Sequence, residues 1–595
     1  MGSFLKYSFA TVFGIFLFFI VAILLMAGIG FFASRKGAVK VKPNSIMSIK
    51  FDYPIEDRSK TAMPSLTSFS FDDKKIGLND ILANIEKAQT DDRIKGIYLD
   101  LSTVSVGLGI AEEIRGKLLK FRESGKFIIA YSEVMTQKAY YLASTADKIY
   151  LNPKGVIALQ GFSTELTFFK EALDRLGIQP EIFYAGNFKS ATEPLRYTKM
   201  SDYNRLQTRA LLSDFYQNFV TQIASSRKMS PEKLNGIIDN LLVRNAEDAK
   251  ANGIVDDLLY YDQVQDELHK RTGIKADKDL EFVSIEKYTK VPDTKKKSTN
   301  KKDKIAILYA EGGIQDGEGD DSNIASLDYI KHIQDIRKDK DVKALVLRVN
   351  SGGGSALASE IIWRELELVK KQGIPIIASM GDVAASGGYY ICANADTIVA
   401  QANTVTGSIG VFGVFAELGD FYKSKLGMTF DTVKTTRHSN FPTSPLLSHA
   451  FNDEDKAIVQ KGVDEIYQSF LKRVSDGRKM PVDKVNEIAQ GRVWTGTQAQ
   501  KNGLVDVLGG VEDAIKLAAK RAGLADGSYQ VARFPEQEDK FSKLFKNFGA
   551  DAKQSAIDAE LQKQLGSQYK YYQQLRSLSQ LNGIQARMPF EFDIK

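Results

Sequence analysis

Ile374-Pro-Ile-Ile-Ala-Ser-Met380-Gly-Asp-Val-Ala-Ala-Ser386-Gly-Gly-Tyr-Tyr390 is the stretch from which the rest of the chain can be read. The apolar run from Ile374 to Ser379 predicts a strand buried on both faces. The chain then turns through small residues. Ser386-Gly387-Gly388 opens a helical pattern that carries Tyr389, Tyr390, Ile391 and Ala393. Strand, short turn and helix together are the unit of an α/β sheet. A serine on the first helical turn holds its hydroxyl beside unpaired backbone N–H groups and the positive end of the helix dipole. That position suits a nucleophile whose attack creates an oxyanion, and it equally suits a serine that caps an ordinary helix.

Working outward, the pattern around this stretch occurs twice. Ile46 to Phe51 and Ile305 to Tyr309 read as opening strands, each followed by a helical pattern. Ile94 to Leu101 and Val342 to Val349 are both central-strand runs, and Phe127-Ile-Ile-Ala130 matches Pro375-Ile-Ile-Ala378. Tyr140-Tyr141 matches Tyr389-Tyr390, Arg227-Lys-Met229 matches Arg478-Lys-Met480, and Asn252-Gly-Ile-Val-Asp256 matches Asn502-Gly-Leu-Val-Asp506. The spacing is far longer than a solenoid repeat, so the chain is a tandem duplication of an α/β domain with a largely parallel sheet. The expected boundaries are an N-terminal anchor at 1–43, a first domain at 44–290 and a lysine-rich linker at 291–303. A second domain follows at 304–525, with a C-terminal helical tail at 526–595.

With 595 residues, 43% of them hydrophobic and 26% charged, the chain can form several cores. The net charge of +6 is small for this length and concentrated in lysine-rich stretches, which argues against nucleic-acid binding. The single cysteine, Cys392, excludes an intrachain disulfide and a cysteine-ligated zinc site, and it reads as a small core residue. His269, His332, His438 and His449 fall in no metal-ligand spacing, so neither a metal nor another cofactor is expected. From Phe9 to Phe32 the sequence is uncharged and apolar, long enough to cross a bilayer as a helix and read as an uncleaved anchor. Arg35, Lys36, Lys40 and Lys42 follow it, and the positive-inside rule taken literally would hold the large domain in the cytoplasm.

The two copies diverge where chemistry would be expected. Aligned on the tyrosine pairs, Ser386-Gly387-Gly388 faces Gln137-Lys138-Ala139. The second copy has a glycine loop after a strand, Asn350-Ser-Gly-Gly-Gly-Ser355, where the first has Ser102-Thr-Val-Ser-Val. The loop lacks the Gly-Lys-Ser/Thr ending of a phosphate loop, and beside a helix-opening serine it fits an oxyanion hole better. No histidine stands in a triad motif, and Ala384 occupies the first glycine position of Gly-x-Ser-x-Gly. The remaining candidate base is a desolvated lysine. Lys189, within Phe183-Tyr-Ala-Gly-Asn-Phe-Lys189-Ser-Ala, lies in the first copy, and the matching position of the second is about Ser439. Any one lysine is most simply a solvated surface charge. The complementary losses instead point to one Ser–Lys site shared by both copies.

Four motifs in order carry a family resemblance: Ala185-Gly-Asn-Phe-Lys189-Ser-Ala, Val349-Asn-Ser-Gly-Gly-Gly-Ser, Gly381-Asp-Val-Ala-Ala-Ser386-Gly-Gly-Tyr-Tyr and Thr406-Gly-Ser-Ile-Gly-Val411. The chain resembles the signal peptide peptidase SppA (protease IV) family in its long, two-domain bacterial form, from the anchor to about residue 520. The resemblance implies two tandem Clp-protease/crotonase-like domains preceded by one transmembrane helix. It also implies a membrane-anchored serine endopeptidase that degrades cleaved signal peptides and other hydrophobic peptides at the lipid bilayer. By position, the nucleophile would be Ser386 and the base Lys189, with Ser408 holding the lysine. The N–H groups of Gly354 and Gly387 would form the oxyanion hole. Gly352 departs from the pattern, which has proline there. The family further implies a homo-oligomer, a homotetramer, in the bacterial inner membrane with catalytic domains outside the cytoplasm, and that side is preferred to the charge count. The rival readings are a crotonase-fold acyl-CoA enzyme and an inactive oligomeric scaffold.

Overall fold

A computed structural model describes residues 39–59, 75–293, 301–320, 322–441, 446–536 and 584–588, with isolated positions between 6 and 21 and between 560 and 572. Most of the apolar stretch at 9–32 and of the lysine-rich linker lies outside the described residues. No helix among the described residues is long and apolar enough to cross a membrane.

The described residues form three sheets. In the first copy, Ser45–Ile49, Ile94–Asp100, Phe127–Met135, Lys148–Ile157, Asp257–Leu258 and Phe282–Ser284 make a six-stranded sheet in which every neighbouring pair is parallel. In the second copy, the sheet built on Lys304–Glu311, Val342–Ser351 and Ile376–Ala385 is parallel, except where Val405–Gly407 meets Val493–Thr495. The central strands are apolar along nearly their whole length because helices cover both faces.

The duplication extends to individual polar contacts. Tyr140 donates to the Ile254 carbonyl at 2.8 Å, and Tyr389 donates to the Leu504 carbonyl at 2.9 Å. Asp256 accepts from the Ile149 amide as Asp506 accepts from the Ile398 amide. The helices Asp202–Arg227 and Asp453–Arg478 each span 26 residues. Each ends on a lysine in the left-handed conformation, Lys228 at φ 54° and Lys479 at φ 55°. The matched Arg-Lys-Met triplets are these two helix ends.

Two features of the sequence reading change. The strand at the opening stretch runs from Ile376 to Ala385, so the small residues expected to turn are its second half. There it leaves its neighbour Thr397–Ala400 and pairs instead with Val405–Gly407. Small side chains permit this, since a Cβ on Gly381 would already lie 3.1 Å from Asn350 Cγ and Asp57 Oδ2. In the segment read as a helical tail, Gln530–Phe534 adds a strand beside Lys304–Glu311 and Ile584–Arg587 adds one to the third sheet.

That third sheet joins the copies. Gln179–Ala185, from the first copy, pairs antiparallel with Val411–Glu417 of the second along its whole length. Phe183 and Ala185 are buried in the second copy's core. A separate contact between copies is polar. Arg348, 1% exposed, donates to Asp57 at 2.6 and 2.8 Å and to Glu113 at 2.7 Å. Asp382 reaches back to accept from the Ile110 amide at 2.8 Å.

Candidate active site

Ser386 stands at the junction of the strand Ile376–Ala385 and the helix Gly387–Cys392, with φ 55° and ψ −117°. A residue with a side chain adopts this conformation only where its surroundings impose it. Here the Ser386 amide donates to the Gly407 carbonyl at 2.8 Å, and its carbonyl accepts from the Tyr390 amide. The hydroxyl makes no helix-capping bond. It points the other way, 2.8 Å from Lys189 Nζ and 3.4 Å from the Gly410 carbonyl oxygen. The capping explanation for this serine is therefore excluded by its geometry.

Lys189 arrives on the strand that crosses between copies. After Ala185 the chain turns at Gly186, whose φ of 105° and closeness to Gln490 leave no room for a side chain. The Phe188 amide then donates to the Gln490 carbonyl at 2.8 Å. Gly491 closes the other side, where an added Cβ would lie 2.7 Å from the Lys189 backbone nitrogen. Gln207 donates to the Phe188 carbonyl and to Ser190 Oγ, fixing the loop on both sides of the lysine. Gln207, Gln490 and Gly491 were invisible as site residues in the sequence because they hold the backbone of the lysine's loop and carry no reactive group.

The lysine ends among three oxygens: Ser386 Oγ at 2.8 Å, and Ser408 Oγ and the Ser408 carbonyl at 3.0 Å each. Ser408, at φ 52°, turns both of its oxygens toward the amine. Lys189 is 1% exposed, and Ser386 and Ser408 are each 0% exposed. Burial holds the Lys189 amine well below its ordinary range, because removal from water disfavours the charged form. A neutral amine has two N–H donors and one lone pair. With the two N–H groups on Ser408, the lone pair faces the Ser386 hydroxyl, the arrangement a general base needs.

Gly354 and Gly387, the latter directly after this serine in the chain, are both buried. Gly353, with φ 94°, demands glycine, since an added Cβ would fall 2.6 Å from the Gly387 nitrogen, and at Gly354 an added Cβ would fall 2.0 Å from the Ile314 carbonyl oxygen. Gly352, which replaces the expected proline, needs no positive φ, and a Cβ there would make only ordinary contact with Met588. In the first copy Gln137 occupies the position of Ser386. Its side chain donates to the Gly161 carbonyl and accepts from the Gln160 and Gly161 amides, closing the equivalent space with a structural bond. Ser439, the counterpart of Lys189, is exposed and bonded to Thr436 in its own loop. Cys392 is buried, and burial pushes its thiol up, away from the reactive thiolate.

The profile of peptidase family S49 matches residues 120–275 and 369–525, once in each copy. Protease 4 of Haemophilus influenzae is 34% identical over 510 residues, covering 83% of this chain and 82% of that protein. The chloroplastic serine protease SPPA of Arabidopsis thaliana is 33% identical over 489 residues, covering 82% of this chain and 70% of that protein. Among solved structures, a ClpP1 mutant from Listeria monocytogenes aligns with 35% of this chain and 94% of its own at 12% identity. Its TM-score of 0.24 is too low to weigh.

Proposed function

Because the chain belongs to peptidase family S49 and is a serine protease of that family, we propose that it works through a Ser386–Lys189 dyad assembled from its two halves. Region 44–290 supplies the base and region 304–525 the nucleophile. The observation that carries this reading is the 2.8 Å contact between Lys189 Nζ and Ser386 Oγ, both of them buried.

Ser386 Oγ attacks the peptide carbonyl carbon while Lys189 Nζ takes its proton. The resulting oxyanion accepts from the Gly354 and Gly387 amides. Collapse breaks the C–N bond, and Lys189 returns the proton to the leaving amine. Water, deprotonated by Lys189, then releases the acyl group and regenerates the serine. Ser408 keeps the amine aligned in both halves of the cycle.

The substrates are hydrophobic peptides, signal peptides in particular. An apolar cluster beside Ala385 supports this, since Leu108, Leu211 and Phe215 of one copy meet Val405 and Val493 of the other. The uncharged stretch at 9–32 anchors the enzyme in the bacterial inner membrane, with its catalytic regions on the extracytoplasmic side. Each half has a Clp-protease/crotonase-like fold, and copies assemble as a homotetramer. A fluorophosphonate probe followed by peptide mapping tests the chemistry. The label is expected on Ser386, with labelling lost in Ser386→Ala and strongly slowed in Lys189→Ala. Absence of label on Ser386, together with turnover of an acyl-CoA thioester, would overturn it.

A further inference from the structure

The third sheet has at its middle a strand from the far C-terminal end of the chain. Ile584–Arg587 lies between Gly353–Ser355 and Val411–Glu417, antiparallel to both. Those two edges flank Ser386 and Lys189, and an extended peptide entering the site would add to the same edges. The register is specific. Ala586 pairs with Gly354, Gln585 pairs with Ser355 and Phe412, and Ile584 pairs with Gly413. The Ala586 carbonyl oxygen crowds Gly353 and Gly387 together: Cβ atoms added there would lie 2.0 and 3.0 Å from it. The carbonyl thus sits beside Gly353 and Gly387, where the carbonyl of a cleavable bond belongs. Beyond it, the Met588 amide donates to the Gly352 carbonyl at 2.6 Å, and the Met588 side chain enters the apolar cluster between the copies. Gln585, Ala586 and Met588 are buried, and with this strand in place Ser386 is 0% exposed. No polypeptide can reach the nucleophile until the strand leaves.

We propose that residues 584–588 are a built-in pseudosubstrate, a strand of the enzyme's own chain that fills the substrate channel and must be displaced by the peptide to be cut. The inference rests on the peptidase reading of Ser386. It also names the preferred occupant of the channel: a small side chain on the residue whose carbonyl faces Gly387, and an apolar one two residues further on. A strand of four residues, although paired on both sides, opens locally at low cost compared with unfolding either core.

The test compares the full chain in detergent micelles with the chain lacking residues 581–595 and with full-length Ala586→Trp, whose indole has no room at a fully buried position. A fluorogenic apolar peptide carrying alanine before the cut reports activity. If the open form is one molecule in ten or fewer, both variants should show a KM at least about tenfold lower, with kcat within about twofold of the parent. A fluorescent peptide of residues 581–595 should also bind the truncated Ser386→Ala protein at least about tenfold more tightly than full-length Ser386→Ala. An unchanged KM in both active variants, or equal peptide binding by the two Ser386→Ala proteins, would overturn the proposal. A truncated protein that takes the fluorophosphonate label yet cleaves nothing would overturn it too, because the strand would then be a part of the working site. If no form cleaved any peptide, the peptidase reading would fail, and the binding comparison would still decide this one.

Discussion

A lysine in water is charged and strongly solvated. Lys189 differs because it is enclosed among serine oxygens with burial as the sole cause of its shift. Of the 80 lysines and arginines in this chain, the one beside Ser386 is the one whose loop is clamped by Gln207, Gln490 and Gly491. Its folded pKa lies below its unfolded value, so the neutral fraction grows as pH rises through that lowered value. Activity should therefore climb from acid toward alkaline pH and level off below the ordinary lysine value of 10.5. Replacement by arginine keeps the charge and removes the lone pair. Lys189→Arg should lose about 100- to 10,000-fold in kcat, the usual contribution of a positioned base. Steady-state kinetics across pH on a protein of unchanged circular dichroism checks both statements. Appreciable turnover by Lys189→Arg would remove lysine from the mechanism.

At the scale of elements, the site depends on two backbone arrangements: the strand Gln179–Ala185 crossing into the other copy's sheet, and the glycine segment facing Ser386. The second can be tested with a single methyl group. Gly353→Ala would place a side chain at φ 94° and within 2.6 Å of the Gly387 nitrogen, which strains the backbone and displaces a proposed oxyanion donor. Loss of one such donor costs about 100- to 1,000-fold in kcat. Gly353→Ala should show a loss of that size, while Gly352→Ala, at a position with ordinary room, should stay within about tenfold of the parent. Equal effects of the two substitutions would mean that the loop serves folding and not the oxyanion. The glycine cluster was legible as special in the sequence. Which of its members is constrained was not, because that depends on how closely residues 385–387 and 586 approach it.

On the scale of the whole molecule, the halves meet through buried charge. Arg348 serves Asp57 and Glu113, and burial raises Glu113 to about 7 and Asp382 to about 6. For both acids the folded value lies above the unfolded one, so the folded protein binds more protons between the two values. Stability should accordingly fall as pH rises from 3.8 to about 6 for Asp382 and from 4.5 to about 7 for Glu113. The Asp382 window corresponds to about 3 kcal/mol at 1.36 kcal/mol per pH unit. Denaturant unfolding of the Ser386→Ala protein at pH 5 and pH 7 should show this decline. Asp382→Asn, which cannot ionise, should make that decline smaller by about 1.4 kcal/mol, the one pH unit of its window that lies above pH 5. A stability that rises over the same range would contradict the assignment.

The sequence by itself determined the duplication, the α/β class, most central strands and the complementary loss of Ser and Lys, since each is written in local residue patterns. Apolar runs with helical or strand spacing carry their own folding instruction, and Gln137 opposite Ser386 can be seen by aligning the chain with itself. Only the tertiary structure decided that Gln179–Ala185 crosses to the other copy, that Arg348 is shared by carboxylates from the other half, and that Ile584–Arg587 lies between Gly353–Ser355 and Val411–Glu417. Edge-strand pairing is made by backbone groups that every residue possesses, so the identity of a strand's partner leaves almost no trace in its side chains. For the same reason the distance between Lys189 and Ser386, 197 positions apart in the chain, was set by strand pairing and burial and not by any spacing that could be read along the sequence.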